Sequence, residues 1–332
     1  MKNIRDVAKR ANVSIATVSR VINGHENVSE KTKKKVLKAM RDLNYRPAPS
    51  YRNTKLFKTI AILVPNLKHS HYGEIVMGVE SAAREKGFDL FISITRENPD
   101  MEYESIENFF ERKIDGIILS EFFIEKEKLE KFKKLNMPIV IVDFKDDSVF
   151  LDSVNTDNFN GAYQAMEYLY ENGHRKILHI PGPEWSPAAR DRVYGIKEFA
   201  KKHPDVEVKF TSAKGYEVNI GHIALTDYLK KNDLDFTAIF AVNDIVAITA
   251  MDTLKRMGVK VPDDVSVIGF DNAPISEYFY PYLTTVKQFR WDMGYTAAKL
   301  LIEKILNSKT SLPKKILIPT KLIIRDTVKK IN

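Results

Sequence analysis

The chain has 332 residues, 44% hydrophobic and 29% charged, an ordinary globular composition long enough for about two domains, and its lack of cysteine excludes disulfides, thiolate metal sites and cysteine nucleophiles. No apolar run, Ile60–Val64 and Ile139–Val142 included, approaches the roughly 18 residues that span a bilayer, and Met1-Lys2-Asn3-Ile4-Arg5-Asp6 is no signal-peptide core, so a soluble cytoplasmic protein is expected, with no membrane partner. The net charge of +8 is uneven: residues 1–58 carry fifteen Lys/Arg against four Asp/Glu, net +11, which leaves −3 on the remainder and points to a polyanion partner for the head alone.

Ile4, Val7, Ala8 and Ala11 recur at the spacing of one helix face. Asn12, which tolerates the left-handed conformation, follows as a tight turn. Ser14 then caps a second helix, Ile15–Asn23, whose Val18, Val21 and Ile22 face inward and whose Ile15, Ala16, Thr17, Ser19 and Arg20 are left outward. Ser29 caps a third helix running to about Leu43, with Val36, Met40 and Leu43 apolar. Three short helices around one apolar seam predict a small all-α helix-turn-helix head over residues 1–45, a geometry that lays its second helix in a DNA major groove. Residues 46–58, with Pro47 and Pro49, read as a linker.

From Thr59 onward β-branched runs alternate with amphipathic helices. Strands are expected at Ile60–Val64, Leu90–Ile94, Gly116–Ser120, Ile139–Asp143 and Val154–Asn155, with helices near Tyr72–Lys86, Glu102–Arg112 and Lys126–Leu135. A second series has helices near Asn160–Asn172, Arg190–Lys202, Gly221–Asn232 and Ile245–Met257 around strands Ile177–Ile180, Val208–Thr211, Ala238–Val242 and Val265–Phe270. A helix at Trp291–Leu306 and strands near Ile316–Ile318 and Leu322–Ile324 follow. This rhythm predicts an α/β body, residues 59–332, of two doubly wound parallel-sheet lobes. The first lobe is expected over about 59–156 and 287–315, the second over about 157–286 and 316–328.

The stretch Ile4-Arg5-Asp6-Val7-Ala8-Lys9-Arg10-Ala11-Asn12-Val13-Ser14, then Thr17-Val18-Ser19-Arg20-Val21-Ile22-Asn23 and Val28-Ser29, resembles the DNA-binding head of the LacI/GalR (lactose repressor) family. The resemblance extends through a body like that of periplasmic sugar-binding proteins. It implies that Ile15, Ala16 and Arg20 read bases, Arg20 through guanine and the others through thymine methyls. It assigns Ser14, Thr17, Ser19, Asn23 and Ser29 to phosphates, a role compatible with helix capping by Ser14 and Ser29. In the family the linker forms a short helix that wedges a leucine into the minor groove. Here Arg52 matches, but Ala48, Tyr51 and Thr54 replace the usual residues, so Tyr51 or Leu56 is expected to substitute as wedge, or the segment stays an extended basic arm.

Ligands of open parallel sheets bind outside the carboxyl ends of strands. By the resemblance the effector meets His69, His71, Tyr72, Arg192, Asn243, Asp271 and Gln288, and the strand-end rule with the chemistry of the side chains adds Asp157, Trp185 and Phe240. Carboxylates, amides and a guanidinium pair with adjacent hydroxyls while aromatic faces cover C–H surfaces, a set suited to a sugar; purines are the alternative for the same cleft. Four carry a plainer reading: Arg192 and Asp271 as a structural ion pair, Phe240 as core, Trp185 as surface or interface. Asp244 is read as the cap of the following helix. His69-x-His71 lacks further ligands, so no metal or other cofactor is expected. The expected molecule is a homodimeric, sugar-controlled repressor on a pseudo-palindromic operator in double-stranded DNA. An α/β enzyme is the first alternative, against which stands the lack of GxxxxGK[ST], GxGxxG, GxSxG and HExxH motifs. A solute-binding protein is the second; it would carry no basic head.

Overall fold

A computed structural model describes residues 4–22, 28–43, 58–67, 70–120, 137–144, 150–307 and 312–331. The expected helix over 126–135, the linker residues Tyr51, Arg52 and Leu56, and Asn23 and His69 lie outside the described residues. The chain divides into two compact units, residues 1–57 and 58–332.

In the first unit, α1 (Ile4–Ala11), α2 (Ile15–Ile22) and α3 (Glu30–Asp42) close on Val7, Ala8, Ala11, Val18, Val21, Val36 and Ala39. Asn12 takes φ 55°, the left-handed turn that lets α2 fold back across α1. Ser14 Oγ accepts the Thr17 amide at 3.1 Å and Ser29 Oγ the Thr32 amide at 3.3 Å, which caps α2 and α3.

The second unit holds two six-stranded sheets, each between helices. The first orders its strands β11-β5-β4-β3-β1-β2, formed by β1 (Lys58–Val64), β2 (Phe88–Ile94), β3 (Gly116–Ser120), β4 (Ile139–Val142), β5 (Asp152–Thr156) and β11 (Lys315–Ile318). All its neighbours run parallel. The second orders β12-β10-β9-β8-β6-β7, from β6 (Lys176–Ile180), β7 (Glu207–Phe210), β8 (Ala238–Ala241), β9 (Ser266–Asp271), β10 (Thr284–Lys287) and β12 (Lys321–Ile323); its β10–β12 pair is antiparallel. Central strands such as β3, β4 and β8 are buried at every position, as a sheet covered on both faces requires.

Lobe 1 carries α4 (Ser70–Glu85), α5 (Pro99–Glu111) and α10 (Arg290–Asn307). Lobe 2 carries α6 (Asn158–Glu171), α7 (Pro187–Lys202), α8 (Ile220–Leu229) and α9 (Asp244–Arg256). Glycines set how closely α4 and α10 approach. A Cβ on Gly78 would fall 2.0 Å from the Trp291 carbonyl oxygen, and one on Gly294 2.0 Å from that of Ile75.

The chain passes between lobes three times, after β5, after β10 and between β11 and β12. This corrects the expected division. Residues 316–318 belong to lobe 1 and not, as expected, to lobe 2, because β11 pairs with β5 and completes the first sheet, so the last passage falls after Ile318. Lys287 likewise belongs to lobe 2, because β10 carries it opposite Asp271 of β9.

Candidate functional site

Two features carry chemistry. On the head, α2 buries Val18 and Val21 and leaves Ile15, Ala16 and Arg20 exposed, with Thr17 and Ser19 half-buried beside them. The 3.6-residue period that seals the bundle therefore also sorts these residues outward. Ser14 and Ser29 are exposed while serving as caps, so one hydroxyl can order its helix and still meet a phosphate.

In the body, a cavity of about 250 Å³ opens between the lobes at the carboxyl ends of both sheets. Lobe 1 contributes Ser70, His71 and Tyr72 from the start of α4 and Asp143 just after β4; lobe 2 contributes Arg192 from α7, Tyr216, Asn243, Asp271, Ala273 and Ile275; Gln288 and Arg290 come from the second passage. The short strands deliver these groups because a parallel sheet aligns all its carboxyl ends on one side.

Arg192 is buried and held from three directions. Its Nε donates to Asn158 Oδ1 at 2.9 Å, Nη1 donates to the Val242 carbonyl, and the guanidinium lies 3.7 Å from the Phe270 ring centroid. Its Nη2 stands 3.9 Å from Asp271 Oδ1. Asp271, at φ 118°, accepts from Gln288 Nε2 at 2.5 Å, while Gln288 Oε1 accepts from Thr156 Oγ1 at 2.8 Å. Arg290 bonds the Asp271 carbonyl at 3.0 Å and Glu74 Oε1 at 2.9 Å. Asn243 caps α9 by accepting the Val246 amide at 2.9 Å and donates to the Tyr216 carbonyl at 3.2 Å.

On the opposite wall His71 Nε2 and Asp143 Oδ2 are 2.6 Å apart. Burial resists a charge on His71, but the Asp143 carboxylate, through its field and its hydrogen bond, outweighs it and raises the imidazole above its ordinary 6.5; Arg290 opposes and Asp271 assists. Asp244 is fully buried and accepts the Ala273 amide at 2.6 Å and the Thr285 hydroxyl. Burial, then the neighbouring Asp271 charge, pushes its carboxyl well above the usual range.

Of the residues expected at the effector, His71, Tyr72, Arg192, Asn243, Asp271 and Gln288 line this cavity. Three do not. Phe240 is fully buried in the lobe 2 core, and its carbonyl accepts from His179 Nδ1 at 2.8 Å. Asp157 caps α6, accepting the Asn160 amide at 3.1 Å and its Nδ2 at 2.6 Å. Trp185 sits half exposed on the loop before α7, outside the cavity wall. Asp244 also departs from expectation: Asn243 is the cap, and Asp244 ties α9 to the turn after β9 and to β10. Sequence reasoning missed Asp143, Tyr216 and Arg290. Asp143 directly follows a strand, the signal that marks such sites; Tyr216 lies in a loop without periodicity.

Among the described residues no group of three or more His, Asp or Glu is placed to hold a metal ion, and no helix is long and apolar enough to cross a membrane.

Comparison with known proteins places both units. Residues 3–48 match the family model for bacterial regulatory proteins, lacI family, and residues 57–326 the model for periplasmic binding proteins and the sugar-binding domain of the LacI family. The chain is 34% identical over 336 residues to the HTH-type transcriptional repressor PurR of Photobacterium profundum, with all of both chains covered. It is 33% identical to the ribose operon repressor of Halalkalibacterium halodurans, over 99% of this chain and 98% of that one. Similar solved structures include the lac repressor dimer bound to operator and the anti-inducer ONPF (26% identity, TM-score 0.85, 99% of each chain) and a complex of the transcriptional regulator CelR with cellobiose (29% identity, TM-score 0.73, 98% of this chain and 100% of that one).

Proposed function

The chain belongs to the LacI family of bacterial regulatory proteins, and from that premise we propose that a neutral polyol of monosaccharide size, held between the lobes, controls its grip on operator DNA. The molecule is a ligand-controlled DNA-binding transcription repressor, not an enzyme. Its effector is a sugar, and it works in the cytoplasm as a homodimer whose two heads meet a pseudo-palindromic site, since one head makes too few contacts for useful affinity.

The observation that carries the reading is the convergence of Arg192, Asn243, Asp271 and Gln288 on one side of the cavity, facing His71 and Asp143 on the other. Paired donors and acceptors in fixed planes match vicinal hydroxyls. The charges are matched in place: Arg192 with Asp271, Arg290 with Glu74 and His71 with Asp143. A phosphate or carboxylate on the ligand would need a cation not already answered, so an uncharged sugar fits better than a sugar phosphate. At about 250 Å³ the space lies below the roughly 300–1,000 Å³ of sites for drug-sized ligands, which favours one sugar ring. The ribose operon repressor among the relatives and the cellobiose complex among similar structures support the class. Effector binding biases the lobe arrangement and hence operator affinity by no more than its differential affinity for the two arrangements.

A thermal-shift series with neutral pentoses and hexoses, their phosphates, and nucleobases tests this. A neutral monosaccharide raises Tm and alters operator binding in the wild type, and Arg192→Ala and Asp271→Ala lose that response while still binding operator. A shift produced only by phosphates or nucleobases, or one retained in both variants, overturns the reading.

A further inference from the structure

We propose that the His71–Asp143 pair, on the lobe 1 wall of the effector cavity, makes effector affinity fall as pH rises through neutrality. The inference rests on the polyol reading above and adds to it a proton.

The geometry is specific to this wall. His71 Nε2 is committed to Asp143 Oδ2 at 2.6 Å, Asp143 is almost fully buried, and one-fifth of the His71 side chain remains accessible in the cavity lining. A carboxylate only accepts, so Nε2 keeps its proton in both charge states of the ring. The second nitrogen, Nδ1, is the one that changes: a donor in the imidazolium, an acceptor in neutral imidazole. A ligand hydroxyl meets either state, but the imidazolium gives it a charge-assisted bond, roughly twice as strong as the neutral one. The groups facing His71 set where the change falls. Asp143 and Asp271 favour the charged ring, while Arg290, itself answered by Glu74, and burial disfavour it; the balance lies above 6.5. A sugar that bonds to Nδ1 favours the charged ring further, so binding takes up a proton and is tighter on the acid side.

Titration calorimetry with D-ribose, D-xylose and D-glucose between pH 5.5 and 8.5, each in two buffers of different ionisation enthalpy, reads this directly. The sugar that binds is expected to lose about tenfold in affinity between pH 6 and 8 with uptake of up to one proton. His71→Gln is expected to bind it more weakly and without slope, and Asp143→Asn to move the slope to lower pH. Binding with a flat profile, or a slope retained at the same pH in both variants, overturns the proposal and leaves the polyol reading standing. Failure of all three sugars and of every other neutral monosaccharide overturns both.

Discussion

Gln288 Nε2 donates to Asp271 Oδ1 at 2.5 Å, so the residue that leaves lobe 2 by the second passage orients the carboxylate expected to meet the effector. The same amide accepts from Thr156, the last residue of β5, and thereby ties two of the three passages together. Gln288 is nearly inaccessible, and deleting its side chain leaves buried partners unmatched at about 1–3 kcal/mol. Gln288→Ala is expected to weaken sugar binding about tenfold. Gln288→Glu, which sets a like charge beside Asp271, is expected to weaken it further. Calorimetry ranks the two, and the reverse order would show that Gln288 does not position Asp271.

The crossing of α4 and α10 has no room for a side chain at its glycines. Gly78→Ala or Gly294→Ala drives a methyl into backbone oxygen, and a loss of about 1–3 kcal/mol or more is expected, read as a lower Tm. Gly73, on the same α4 helix, has nothing within 4 Å of its Cβ position. Gly73→Ala should therefore stabilise by up to about 1 kcal/mol through helix propensity. Equal behaviour of the two helical positions would contradict the packing described.

Arg20 is exposed on α2, on the face expected to read bases. Arg20→Ala is expected to cost about 1–3 kcal/mol of operator binding and to relax the base preference at one position. Lys34→Ala, on the exposed face of α3, should instead weaken all duplexes alike and flatten the salt dependence. Fluorescence anisotropy with operator and scrambled duplexes at several salt concentrations separates the two effects.

His179 gives an acid-side liability. Burial pushes it down to about 4, with Arg192 adding and the Phe240 carbonyl opposing. The folded state therefore keeps the ring neutral while the unfolded chain protonates near 6.5, so stability falls as pH drops from 6.5 to about 4. His71 has the opposite sign: its contribution is full below 6.5 and is lost as pH rises through its higher folded value. Denaturant melts at pH 7 and 4.5 should show a drop about 2–3 kcal/mol larger in the wild type than in His179→Leu. Equal drops would mean that His179 is not held neutral.

Helices with one apolar stripe and strands with unbroken apolar runs were legible in the chain, and so was the site to the extent that it follows strand ends. Asn243 and Asp271 sit where that rule looks, whereas Arg192 lies inside α7 and was legible only through the resemblance. Phe240 shows its limit: β8 is buried at all four positions, so alternation is erased and nothing local separates a cleft-facing ring from a core one. Asp157 shows another, because a cap and a ligand use the same side chain at the same place after a strand. Asn243, which also lines the cavity, holds the cap expected of Asp244, a one-residue choice decided by the bonds from Asp244 to Ala273 and Thr285 that only the assembled lobe provides.

Because β11 and β12 come late in the chain yet close the outer edges of both sheets, neither lobe is finished when its own helices are. During synthesis β5 waits with one side bare until residue 318 has left the ribosome, and β10 until residue 323. Naked strand margins of this kind invite pairing with other nascent chains, so a shielding chaperone or rapid translation of the final stretch would raise the yield of native repressor.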